Sequence, residues 1–409
     1  MKKGSIKYYV WIVLPVVAAI IIVTRWDVWF GNPIEPSFNT PSTPSRIMLT
    51  MGNEPHSRII TWLCDTTVQE AYVEYYYVDS LSEPQILHTK AESEKYLSQG
   101  GCSVFYRASI ENLCTGQYLY RVCHPSSSSP WHSFHINSTD DNSSRFIFIG
   151  DIQDTINGIT NGIIENIAQR HNNVDYYLLG GDFIHRPHDC FWEEGFRGIA
   201  PIATTQTLLA VSGNHEHRKG ISSSCERRFP LHFAYFLPEY DKHNYCFHTL
   251  RHENIELFLF DSHCDIIKLI KQRQALEKAL QESSAQWKVV VLHHPPHSIR
   301  SKWNNIHLQW MLTHLFSQHH VDLVLSGHEH GYARLQPSEQ LPIYTISHCS
   351  PKQYHHRNRS VAIRYDSGHR YYQVIDINKD TLQLDVYTTD GQLIDMIKII
   401  QENGEHIVQ

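Results

Sequence analysis

The chain has 409 residues and a mass of 47.6 kDa, more than one ordinary domain needs and comfortable for two. Its 35 basic and 42 acidic residues leave a formal net charge of −7, which argues against the basic face a nucleic-acid binder requires. With 19% charged and 41% hydrophobic residues it is a globular chain rather than a disordered one. Histidine is unusually abundant at 29 residues, and it is the commonest protein metal ligand. The nine cysteines form no CxxC pair, so zinc-ribbon spacing is absent.

Tyr8 to Thr24 carry no charge, with Lys2, Lys3 and Lys7 before them and Arg25 after. That length sits at the short end of a membrane span, and Ile-Ile-Ile-Val after Ala18 and Ala19 argues against signal cleavage there. Residues 1–30 therefore read as an uncleaved N-terminal transmembrane anchor, with a cleaved signal as the alternative. The lysine bias places the N-terminus in the cytoplasm and the bulk of the chain outside it. Residues 31–44 contain four prolines and read as a stiff tether.

Residues 45–137 hold short aromatic and β-branched runs separated by polar turns: RIMLTM, SRIITWLC, AYVEYYYV, CSVFYRASI, QYLYRVCH and WHSFHIN. Their spacing predicts an antiparallel β-sandwich with Trp62 between its sheets. Leu113, Gly116, Tyr118 and Tyr120 resemble the turn and strand of a fibronectin type III domain with its tyrosine corner. A polar stretch, 138–144, reads as a linker. From Arg145 to about residue 400 the pattern changes. RFIFIG, DYYLLG, TLLAVS, IELFLF, WKVVVL and VDLVLS are apolar runs without alternation, as strands covered on both faces should be. Ile156, Ile159, Ile163 and Ile167 recur at helical spacing, and residues 267–281 read as a second helix. YYQVIDI and LQLDVYTT flank a turn and read as an antiparallel pair. The expectation is an α/β sandwich, two sheets face to face with helices outside.

Every one of those buried strands except IELFLF runs directly into a residue able to bind metal. RFIFIG leads to Asp151 and DYYLLGG to Asp182. TLLAVSG leads to Asn214 and His215, WKVVVL to His293 and His294, and VDLVLSG to His328 and His330. Carboxyl ends of strands form the ligand crevice of open α/β sheets. One aspartate at a strand end is ordinarily a helix cap. Five loops in succession delivering carboxylates, an amide and imidazoles to one edge are much harder to explain as caps.

The motifs IleGlyAspIleGln, GlyGlyAspPheIle, GlyAsnHisGlu, ValLeuHisHisPro and GlyHisGluHisGlyTyrAlaArg resemble, in order, those of the calcineurin-like metallophosphoesterases. Within that superfamily they look most like the purple acid phosphatases, which also carry a fibronectin-like N-terminal domain. The resemblance implies a four-layer metallophosphoesterase sandwich over 145–400, preceded by the all-β domain and the membrane helix. It implies two metal ions. Asp151, Asp182 and His330 would hold the first, and Asp182, Asn214, His293 and His328 the second, with Asp182 bridging. His215 would be the histidine beside the substrate phosphate, with Asn214 also facing the substrate.

One position departs from the purple acid phosphatase pattern. The residue three after the bridging aspartate is there a tyrosine whose phenolate binds ferric iron and gives the colour; here it is His185. Exchanging a phenolate for a neutral imidazole keeps the net charge of the centre if the ferric ion becomes divalent. His185 is therefore expected to ligate the first metal of a colourless divalent centre of Zn, Mn or Fe. Other branches place a histidine two residues after the first aspartate, where this chain has Gln153. His294 and His297, just past His293, line the phosphate pocket as substrate-binding residues or lie in a solvated loop, and Glu216 orients His215 or lies at the surface. Asp261 ends its strand outside the ligand sets. His348, His355 and His356 read as surface residues, and Tyr332 and Arg334 as support behind the His328/His330 loop.

The expected function is hydrolysis of phosphate monoesters by metal-activated water, outside the cytoplasm, with phosphate esters and the membrane as partners and no nucleic acid. The alternatives are a phosphodiesterase or nucleotide pyrophosphatase using the same centre, or a surface binding protein whose phosphatase site is vestigial.

Overall fold

The structure is a computed structural model; it describes all residues except 1–2, 53, 69, 80–82, 139–142, 221–222 and 339, and leaves the side chains of 3–12 and 28–29 undescribed as well. Two large sheets organise it. The first has eleven strands. At its centre, Ser144–Ile149, Tyr176–Leu179 and Thr207–Ala210 pair in parallel. Tyr371–Ile377 and Thr381–Thr388 extend one side as the expected antiparallel pair. The second sheet has seven strands and carries Ile255–Phe260, Trp287–Leu292, Leu323–Ser326 and Ile343–Ile346 in parallel. All six apolar runs form strands, and nearly every one of their residues is buried, so neither face of these central strands meets water. Residues from both sheets, among them Phe148, Leu178, Leu209, Leu257, Val289 and Leu325, share one apolar core. This is the face-to-face α/β sandwich expected from the sequence.

The helices show where local pattern succeeds and where it falls short. Residues 267–281 lie in the helix Ile266–Glu282, which Asp265 caps by accepting hydrogen bonds from the Ile267 and Lys268 N–H groups. The first α/β helix begins only at Thr160. Asp154 accepts hydrogen bonds from Ile159 N–H and the Thr160 hydroxyl, which turns the chain and leaves Ile156 and Ile159 exposed. Ile163 and Ile167 still face the core.

The six predicted N-terminal strands form between Ser45 and Ile136, with Leu87–Lys90 and Glu92–Leu97 in addition. They make two antiparallel layers. Trp62 is buried between them and stacks on Tyr106 with ring centroids 5.5 Å apart. The Tyr118 hydroxyl accepts a hydrogen bond from Cys114 N–H at 2.8 Å, pinning the turn before its strand. One of the layers is continuous with the central sheet, because Ser45–Met51 pairs in parallel with Thr207–Ala210 through Thr50 and Leu208.

A helix spans Lys3–Thr24, with Pro15 inside it. Its described side chains from Val13 to Val23 include eight exposed aliphatic residues; Tyr8 to Ile12 of the expected span have side chains outside the described residues. Among the described residues no helix is long and apolar enough to cross a membrane. The proline-rich segment differs from a free tether, since it lies against the folded body. Asn32 exchanges hydrogen bonds with the Lys219 backbone. Glu35 is buried, pairs with Arg228 at 2.6 Å and accepts from Asp189 N–H.

Candidate metal centre

Four of the predicted ligands adopt a left-handed backbone rare for residues with a side chain: Asp151 (φ 50°), Asp182 (φ 52°), His328 (φ 69°) and His330 (φ 52°). Such conformations cost roughly 1–3 kcal/mol each and gather at functional sites, where the surrounding structure enforces them. Here they turn the chain sharply at the end of each strand and aim the side chain across the sheet edge. Glycine permits the close approach. A Cβ on Gly213 would collide with the Asp182 carboxylate, and one on Gly327 with that of Asp151.

The two carboxylates are arranged alike. One oxygen of each is held by a backbone donor: Asp151 Oδ2 accepts from His328 N–H at 2.7 Å, and Asp182 Oδ1 from His215 N–H at 2.9 Å. The other oxygen faces an imidazole. His330 Nε2 lies 3.2 Å from Asp151 Oδ1, and His293 Nε2 lies 3.2 Å from Asp182 Oδ2. Both rings are oriented through their far nitrogens, since His293 Nδ1–H donates to the Gly180 carbonyl (2.9 Å) and His330 Nδ1–H to that of Lys352 (2.7 Å). That is the pattern by which ligand histidines are fixed in one tautomer.

The donors fit a cation. Among the described residues Asp151 Oδ1, Asn214 Oδ1 and His293 Nε2 are buried and make no hydrogen bond, the first and last facing only the His330 and Asp182 groups 3.2 Å away, a cost a native fold seldom leaves uncompensated. Asp151, Asp182 and His293 bring donor atoms within 4.8 Å of one another, as do His293, His294 and His328. Burial works against a charge on His293, yet the Asp182 and Asp151 carboxylates outweigh it and lift the imidazole pKa to about 10. The cradle thus attracts positive charge.

The other candidates fall on several sides. His215 Nδ1–H donates to the His185 carbonyl at 2.5 Å, leaving Nε2 3.8 Å from Asp182 Oδ2. His185 is exposed; its ring lies 5.4 Å from that of His215 and 5.2 Å from Phe191, and it joins neither group of close donors. His297 is turned elsewhere. Its Nδ1 accepts from Gln309, its Nε2 faces the Thr313 hydroxyl, and its ring meets the edge of Tyr344, so neither nitrogen is left for a substrate oxygen. His294 is buried rather than in a solvated loop, with Nδ1 3.0 Å from the Ser262 hydroxyl and its ring 4.1 Å from that of His328. Two adjacent histidines after a strand were the signal for it.

Glu216 neither orients His215 nor lies at the surface. It is fully buried and accepts hydrogen bonds from the N–H groups of Asp182 (3.0 Å), Ile184 (3.0 Å) and Gly213 (2.7 Å), tying two ligand loops together. Gln153, with its amide turned to donate, reaches the Asp182 carbonyl at 2.7 Å and that of Asp151 at 3.2 Å. His348 and His356 are also buried, contrary to the surface reading: His348 stacks on His330 at 5.1 Å, and His356 Nε2–H donates to the Glu329 carbonyl. His355 is exposed. Tyr332 and Arg334 support the His328/His330 strand by holding Asp395 at 2.7 and 3.2 Å. Asp261 pairs with His217 at 3.0 Å.

Fold and cradle together define an α/β protein built to hold metal at the ends of its parallel strands. Residues 144–332 match the calcineurin-like phosphoesterase family. Over 184 residues the chain is 26% identical to purple acid phosphatase 3 of Arabidopsis thaliana, covering 39% of this chain and 49% of that protein. Over 178 residues it is 25% identical to a probable cyclic nucleotide phosphodiesterase of Vesicomyosocius okutanii, covering 42% of this chain and 69% of that one. The chain spans about half the length of the first purple acid phosphatases it matches. Its fold is similar to that of purple acid phosphatase PPD1 from yellow lupin (Lupinus luteus), with a TM-score of 0.73 at 18% identity over 90% of this chain and 76% of that one. It is also similar to that of PhoD, with a TM-score of 0.59 at 11% identity over 90% and 92%. That family match takes in a little under half of the chain and includes every strand-end residue from Asp151 to His330.

Proposed function

We propose that this protein hydrolyses phosphate monoesters at a binuclear divalent metal centre held by Asp151, Asp182, Asn214, His293, His328 and His330. The observation that carries the reading is the group Asp151, Asp182 and His293, whose donor atoms lie within 4.8 Å of one another at the ends of three strands, with Asp151 Oδ1 and His293 Nε2 buried outside any hydrogen bond. Divalent ions held by these residues would supply Lewis acidity toward the phosphoryl oxygens and would make a water more readily ionised for hydrolysis. The chain supplies the rest. Asp182 gives one oxygen to the cradle while its other is fixed by His215 N–H, so the loop bearing His215 and the shared carboxylate move together. His215, held through Nδ1, presents Nε2; in its protonated form that nitrogen donates to a phosphoryl or leaving-group oxygen. The exposed His185 ring beside it forms part of the substrate wall, and ligation of the first metal by His185 stays a proposal.

We further infer that the 45–137 sandwich is fibronectin type III-like, a reading supported by the bond from Cys114 N–H to Tyr118. We read the N-terminal helix as a membrane anchor with the enzyme outside the cytoplasm. Support comes from the uncharged run Tyr8–Thr24 and the exposed aliphatic side chains along it. One experiment tests these functional readings together. Carbonate-washed membranes and the soluble fraction from cells expressing the full chain are assayed with p-nitrophenyl phosphate and bis-p-nitrophenyl phosphate, with and without added Zn or Mn. Metal-dependent turnover of the monoester in the membrane fraction is expected. Preferential turnover of the diester would favour the phosphodiesterase reading, activity only in the soluble fraction would remove the anchor, and no turnover with any metal would remove the hydrolase.

A further inference from the structure

A cavity of about 570 Å³ lies at the seam between the β-sandwich and the α/β part, at the ends of the central parallel strands opposite the metal centre. Arg58, Asp175, Thr207 and His252 line it, and Asn172 and Asn173 stand exposed at its mouth. Arg58 opens the strand Arg58–Cys64 and is only 4% exposed. Its guanidinium carries five N–H donors: one on Nε and two on each terminal nitrogen. Nε–H donates to the Thr207 hydroxyl at 3.0 Å. Nη1 donates to the carbonyls of Pro55 (2.9 Å) and Ser57 (2.8 Å), with Met51 Sδ at 3.6 Å. Among the described residues the two donors on Nη2 make no hydrogen bond, and no carboxylate pairs with the guanidinium. Asp175, the acid on the same wall, is engaged elsewhere, since it accepts from Arg145 N–H at 2.7 Å and from the Asn137 side-chain amide. His252 Nδ1 is also buried and makes no hydrogen bond. Burial pulls the Arg58 pKa down to about 10, and Asp175 opposes that only in part.

We propose that this cavity binds a small oxyanion, a phosphate or carboxylate group, which accepts hydrogen bonds from Arg58 Nη2 and supplies the missing counter-charge. A buried charge without a partner is among the costliest features a fold can carry. A neutral ligand would satisfy the two donors and leave the charge, and a cation would be repelled. Hydrogen bonds from a guanidinium to an oxyanion are roughly twice as strong as those between neutral groups. The cavity is larger than one such group, so the amides of Asn172 and Asn173 face the rest of the ligand. Arg58 comes from the β-sandwich, whereas Asp175, Thr207 and His252 come from the α/β part, so the anion bridges the two. It does not touch the metals. Thr207 opens the strand Thr207–Ala210, and Asn214 lies beyond the other end of that strand.

Counting bound phosphate tests the site separately from the metal centre. The full chain, with Zn or Mn in excess, is dialysed to equilibrium against radiolabelled inorganic phosphate. Wild type is expected to hold one phosphate per chain more than Arg58→Gln. Asp175→Asn removes the opposing charge and is expected to tighten that additional phosphate roughly threefold. Equal counts in wild type and Arg58→Gln overturn the site, and so does an additional phosphate that Asp175→Asn weakens. Should Arg58→Gln fail to fold, crystals of the wild-type chain grown with selenate decide instead. An anomalous peak beside Arg58 Nη2 supports the site, and selenium found only at the metal centre overturns it. Release of the additional phosphate by succinate identifies a carboxylate source, and its retention identifies phosphate.

Discussion

Glu216 shows how a buried anion can govern a metal site it does not touch. Its two carboxylate oxygens accept three backbone N–H groups, two of them on Oε2 and that of Ile184 on Oε1. Glutamine is isosteric, but its NH2 group must face at least one of those donors. The Asp182 loop then loses a fixed point, and its left-handed backbone loses part of what enforces it. Glu216→Gln is expected to weaken metal binding about 10–100-fold, the usual effect of removing a group behind the ligands. Titration against a chromogenic chelator measures it, and wild-type affinity would refute the role. The candidate ligands were legible because strand ends are marked by apolar runs, and Asp151, Asp182, Asn214, His293, His328 and His330 lie just beyond those runs. Glu216 and His294 were not. Their parts depend on burial and on what lies across the sheet edge, which a local sequence window does not contain.

His297 makes a similar point for the helix Ile306–Gln318, into which it packs. Gln309 can only donate to its Nδ1, so Nε2 carries the proton and faces Thr313, which is the neutral tautomer. Burial pushes its pKa down to about 4. Because protonation is favoured in the unfolded chain, near an ordinary pKa of ~6.5, the stability tied to neutral His297 is intact above that value. It falls as the pH drops from there toward 4. Urea midpoints of the metal-free protein at pH 7 and 4.5 should show the loss, and His297→Gln, which cannot titrate, should show a smaller one. An equal loss in the variant would contradict the assignment. From the sequence, His297 was a pocket residue by proximity to His293; the chain between them turns it onto a helix instead. The first α/β helix was misjudged at its start for a comparable reason, since Asp154 spends its carboxylate on a turn that isoleucine spacing cannot reveal.

The composition change near residue 140 coincides with the passage from antiparallel strands to α/β units, but it conceals how the two stretches are joined. Ser45–Met51 lies beside Thr207–Ala210 as one more parallel strand of the central sheet. Ile59, Leu63 and Phe105 of the β-sandwich form a buried cluster with Leu231, Ala234 and Leu237 of the α/β part. Arg228 adds a polar tie, fully buried among Glu35, Asp189 and Glu226. The strand pairing, the apolar cluster and the Arg228–Glu35 pair each join residues more than a hundred apart in sequence, beyond the reach of periodicity or turn signals. A fragment of residues 144–409 would therefore expose a central strand edge, an apolar patch and an arginine stripped of one partner at the same time. Exposed strand edges recruit other chains. The fragment is expected to aggregate on expression, whereas residues 31–409 remain soluble and monodisperse by size-exclusion chromatography. A soluble 144–409 fragment that unfolds at the same temperature as the longer chain would show that the β-sandwich is a separable appendage.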